Sequence, residues 1–215
     1  MRDSYADIAA LAEVDVEAQP DAYTEAMRHA YRQDKDLSAA MAIAWAGIGR
    51  LLALAHASEP SRALVLRAQV KTLTYDLASF TWAGWDEPGI VITPPEARAG
   101  CAAARANLDL ARDLETAELP RARAHWMLGA HELAAGRPDD ARASFEAAVS
   151  LSDAAGHEGA AEAALAGAFV VLADLASGSA TEADFAAALE RLRSTPGGAD
   201  LVEQVTTARD ILGSS

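Results

Sequence analysis

The chain has 215 residues, 51% hydrophobic and 23% charged, with a formal net charge of −14. No Lys/Arg cluster outweighs the surrounding acids, which argues against a phosphate-binding surface, so neither nucleic acid nor an anionic membrane is an expected partner. Alanine supplies about a quarter of the residues; it has the highest helix propensity and lets helices approach closely, so the expected fold class is all-α.

In chain order, apolar spacing predicts ten helices, at 3–14, 21–34, 37–56, 60–83, 95–116, 121–135, 138–153, 158–177, 181–193 and 198–212. The acidic start, MRDSYADIAALAEVDVE, lacks the basic segment and apolar core of a signal peptide. The most apolar runs, LLALAHA and ALAGAFVVLADLA, fall short of the roughly 18 residues a membrane span needs. A cytoplasmic location is therefore expected. Pro20, Pro60, Pro120 and Pro138 stand at helix entrances, where a missing amide costs nothing. Thr93 and Glu96 have the spacing of a capping box, Thr181 and Asp184 that of a weaker one, and Gly136 and Gly178 read as helix stops.

The stretch FTWAGWDEPGIVITPPE, residues 80–96, interrupts this pattern. It gives an over-long connection between two helices, with Trp82 and Trp85 beside Asp86 and Glu87, and with Ile90, Val91 and Ile92 too apolar for full exposure. The tryptophans either wall a ligand site in which Asp86 and Glu87 engage a cation or an amide, or fold back over their own helical hairpin.

Sites for bond chemistry are sparse. Cys101 is alone and reads as a small buried thiol. His131-Glu132 begins a zinc-protease helix motif, but Ala135 holds the second histidine's place, and His125 and His131 are not on one face. Histidine as a helix-surface or capping residue is the expectation, with no metal. Gly47-Ile48-Gly49 lacks the third glycine of a dinucleotide fingerprint. Asp139 and Asp140 complement a helix N-terminus. No cofactor and no catalysis are expected; a hydrolytic site would have to use Asp76, Asp86 and Glu87, with His56 near.

Residues 122–153 carry the clearest repeat signal. Leu128-Gly129 stands in a first helix, Gly136 at the turn, and Ala141, Phe145 and Ala148 on one face of a second. This pattern resembles a tetratricopeptide repeat. His125 stands where the family has an aromatic, Trp126 comes one place late, and Glu132 and Asp153 replace a common aromatic and a common proline. The resemblance implies antiparallel helix hairpins stacked as one α-solenoid over residues 1–215, closed by a terminal helix near 198–212. It also implies a concave groove that holds a peptide or extended segment, lined here by Arg123, Trp126, Ala130 and Leu133. Their spacing of three, four and three puts them on one helical stripe. Alternatively, Trp126 packs against the neighbouring hairpin. The expected function is non-enzymatic binding of a protein or peptide; self-association into a homo-oligomer, or small-molecule binding or hydrolysis at the Trp82–Glu87 loop, are the alternatives.

Overall fold

The computed structural model describes residues 4–213; positions 1–3 and 214–215, among them the first residue of the helix expected at 3–14, lie outside the described part. The described residues form ten α-helices and no strand: α1 Ser4–Glu13, α2 Gln19–Arg32, α3 Leu37–His56, α4 Pro60–Phe80, α5 Pro94–Asp113, α6 Glu118–Ala134, α7 Pro138–Ala154, α8 Ala160–Ser177, α9 Glu182–Ser194 and α10 Val202–Leu212. Short 3-10 turns at Ala83–Trp85, Gly156–Gly159 and Ala199–Leu201 join some of them.

The local signals act as their chemistry requires. The Thr93 amide and hydroxyl both donate to Glu96 Oε2, at 2.6 and 2.7 Å, and the Thr181 amide and hydroxyl donate to Asp184 Oδ2 in the same way. Asp36, not foreseen, caps α3 by accepting from the Ala39 amide at 2.9 Å. Gly136 and Gly178 end their helices with φ of 69° and 77°, a conformation that costs glycine nothing. Pro120 does not open α6. The helix begins two residues earlier, at Glu118, which leaves the proline in the first turn, where amides have no intrahelical partner.

From α2 to α9, each helix packs chiefly against those before and after it in the chain. The core runs without a break from Tyr23 and Met27 of α2 to Val205 and Ala208 of α10. Small residues set the close crossings. A Cβ on Gly129 would lie 2.8 Å from Phe145 Cε1, so α6 and α7 meet at that distance only because the position is glycine. α10 touches α8 and α9, but its most extensive packing is with the Ala83–Trp85 turn, more than a hundred residues back along the chain.

Two segments, Leu37–His56 and Gly156–Ser177, are long and apolar enough by composition to cross a membrane, although no single run within them had suggested it. Here α3 lies between α2 and α4, and α8 between α7 and α9; 44% and 33% of the two apolar windows are buried, and Trp45 and Leu52 of α3 stay exposed.

Candidate functional site

The unusual stretch at 80–96 resolves into parts. α4 stops at Phe80, three residues before the expected end. Thr81 is fully buried and its hydroxyl donates back to the Leu77 carbonyl at 2.7 Å, after which Trp82 takes an extended backbone and turns inward. Trp82 is 1% exposed and its Nε1–H donates to the Ala130 carbonyl of α6 at 3.1 Å. Gly84 has to be glycine, because a Cβ there would fall 2.3 Å from the Trp82 ring. Trp85 then folds over Trp82 edge to face, with centroids 4.8 Å apart, and gives its Nε1–H to the Ser79 carbonyl at 2.9 Å.

Trp126 of α6 and Phe169 of α8 complete this cluster, with centroids 5.4 Å from Trp82 and 5.1 Å from Trp126 respectively, both near perpendicular. Such edge-to-face contacts each add about 0.5–1.5 kcal/mol beyond burial of area. Trp126, Ala130 and Leu133 are thus buried by residues of the same chain. Arg123, on the same stripe, is largely exposed and gives Nε to Glu162 Oε1 of α8 at 3.0 Å, with Nη2 bonded to that same oxygen.

The two acids of the loop go elsewhere. Asp86 is exposed, in the left-handed conformation at φ 48°, and Glu87 pairs with Lys35. Asp76 pairs with Arg28 at 2.7 Å, and His56 is exposed. The four residues a hydrolytic site would have used therefore do not converge. Ile90 and Ile92 pack against the core, but Val91 between them is 82% exposed, contrary to expectation.

What the structure does bring together is Arg123, Trp126 and Trp85. They line one cavity of about 340 Å3 with Tyr75 of α4, Ser152 of α7, Glu158 of the Gly156–Gly159 turn, Glu162 and Leu165 of α8, and Leu201 and Gln204. Three buried polar atoms here have no hydrogen-bond partner among the described residues: Trp126 Nε1, Ser152 Oγ and Glu162 Oε2. Trp126 and Ser152 are 7% and 1% exposed. An unpaired buried donor or acceptor costs about 1–3 kcal/mol, so three beside one cavity need a reason. Burial, outweighing the pull of Arg123 and reinforced by Asp76 and Glu162, pushes the Tyr75 phenol up, so it stands at neutral pH as a neutral donor.

Sequence reasoning found the three outer members of this set and missed Tyr75, Ser152 and Glu162. Each sits alone on a different helix, in a segment whose local pattern reads as ordinary amphipathic surface. A wider cleft of about 760 Å3 is bordered by Trp82. Cys101 borders it, half-buried where a buried thiol was expected, with Arg137 Nη2 3.7 Å from its sulfur. His131 also borders that cleft and is buried, not a surface residue. Among the described residues no three His, Cys, Asp or Glu side chains gather as metal donors would.

Comparison with protein-family models, with curated proteins and with solved structures finds no match for this chain.

Proposed function

We propose that this is a non-enzymatic binding protein of the stacked-hairpin, tetratricopeptide-like kind, and that its binding site is the cavity between Trp85, Trp126 and Ser152. The helix order favours this architecture, because consecutive helices pack on one another along α2–α9. One observation carries the choice of site: three unpaired buried polar atoms belong to residues that border the same cavity. The stripe expected to hold an extended peptide is filled by Trp82, Trp85 and Phe169. The space beside Trp126, about 340 Å3, is the size of a small-molecule site (about 300–1,000 Å3), and Leu133 at the other end of the stripe borders a separate space of about 680 Å3. The occupant is therefore a small molecule, held by shape and hydrogen bonding without bond chemistry.

Thermal unfolding of the purified protein, in the presence of native cell extract split at about 1 kDa by ultrafiltration, tests this. A cutoff on that order separates ligands that a cavity of this class admits from peptides and proteins. Only the small fraction is expected to raise Tm, by mass action on the folded state. The rise should vanish in Ala161→Phe, which fills the cavity from a half-buried position. Stabilisation by the macromolecular fraction alone, retained in Ala161→Phe, would return the function to peptide binding at another surface.

A further inference from the structure

We infer that the wider cleft bordered by Trp82 is a second, exchangeable site, and that it takes a small amphiphilic carboxylate, one anionic head on an apolar chain. At about 760 Å3 the cleft has the size of a small-molecule site. Its charge sets it apart from the rest of the chain. Acids outnumber Lys and Arg by 32 to 18 overall, yet the described residues bordering this cleft include Arg98, Arg105 and Arg137 and no acid.

Helix geometry brings these charges together. Arg98, Cys101 and Arg105 stand at spacings of three and four on α5, so they share one face, with each arginine about one turn from the cysteine. Arg137, just before α7, reaches the middle of that row, where its Nη2–H donates to Cys101 Sγ at 3.7 Å. All three cations stay accessible: the side chains of Arg105 and Arg137 are 55% and 35% exposed, and Arg98 is exposed. Two acids stand behind them. Asp140 holds Arg137 Nη1 at 2.9 Å, and Glu132 lies 3.7 Å from Arg137 and 3.9 Å from Arg105. Three cations against two acids leave one positive charge over, and Arg98 is the one with no ion pair among the described residues.

Ile92, Ala97, Ile211 and Leu212 border the same cleft and are all half-buried, so an alkyl chain covers apolar surface that water otherwise wets. An inorganic anion leaves that surface wet, and an alkylammonium is repelled by the arginines. A carboxylate on an alkyl chain suits both parts of the wall. The net charge of −14 repels an anionic bilayer, so the occupant is a free carboxylate and not a membrane lipid. One exposed charge pair on an open wall sets a Kd of about 1 mM, so the cleft empties on dilution and adds no adduct to the isolated protein.

Octanoate, octanamide and octylammonium share a chain and differ in the head group. Calorimetric titration of the whole protein gives their affinities. Alkylation of Cys101, the only cysteine, by neutral iodoacetamide reports whether the cleft is filled. Octanoate is expected to bind about threefold to fivefold more tightly than octanamide and to slow the alkylation, with octylammonium weaker than both. Added salt should shrink the preference. Arg98→Gln, at an exposed position, should abolish it without lowering Tm, whereas Ala161→Phe, in the other cavity, should leave it intact. Octylammonium bound as tightly as octanoate, alkylation unchanged by octanoate, or a preference that survives Arg98→Gln would each overturn the inference. Octanoate binding lost in Ala161→Phe would place the carboxylate in the Trp126 cavity and overturn it equally.

Discussion

His131 shows what a single buried polar side chain does in this molecule. It is 3% exposed, at the α4–α6 contact, and its Nε2 is 2.9 Å from the Ala78 carbonyl, so the neutral ring donates across the helix pair. Burial, only partly offset by that bond, pushes its pKa down to about 4 from the ordinary 6.5. Between these values the unfolded chain binds a proton that the folded protein refuses. The stability tied to a neutral His131 is therefore complete above about pH 6.5 and declines as pH falls toward 4, by up to roughly 3 kcal/mol at the low end. Urea unfolding of wild type and His131→Gln at pH 7 and pH 4.5 checks this. The wild type should lose more stability than the variant on acidification; parallel losses would place His131 outside the acid response. In the sequence this histidine had only a failed metal motif to its name. Its role comes from Gly100 and Thr81, on α5 and just past the end of α4, which no local pattern connects to it.

At the scale of the helices, the sequence was most informative where one residue does one local job. Thr93–Glu96, Thr181–Asp184, Gly136 and Gly178 are read from composition because capping needs only neighbours within four residues. The end of α4 was misjudged by three residues for the opposite reason: what stops that helix is the need for Trp82 to enter a core built from α6 and α8. Gly100 belongs to the same category. It looks like an ordinary glycine in an alanine-rich helix, yet a Cβ there would lie 2.0 Å from Thr81 Oγ1 and 2.5 Å from His131 Cε1. Gly49, in α3, has nothing within 4 Å of the same construction. Both substitutions to alanine gain about 1 kcal/mol of helix propensity. Gly49→Ala should keep that gain, whereas Gly100→Ala should be destabilised by about 1–3 kcal/mol net because overpacking of α5 against α4 and α6 wins. Denaturant midpoints of the two variants against wild type decide it; a stable Gly100→Ala would mean that these helices separate more easily than their packing implies.

Across the whole molecule, the chain supplies the filling between its own helices. The loop after α4 sends Trp82 and Trp85 onto α6, and α10 returns from the far end of the chain to pack on that same turn. The stripe Arg123–Trp126–Ala130–Leu133 was legible from its spacing, but its occupant was not, because the side chains that cover it come from positions about 40 residues away on either side. Two of the spaces left open are the small chamber bordered by Trp85, Trp126 and Ser152 and the wider cleft at Trp82; the proposed function rests on the first. The most direct test is native mass spectrometry of the protein isolated from the cells that make it. The account predicts a non-covalent adduct of roughly 100–300 Da, the mass that about 340 Å3 holds at ordinary interior packing density, present on the wild type and absent from Ala161→Phe. An adduct of that size retained by the cavity-filled variant, or a bound polypeptide in its place, would contradict it.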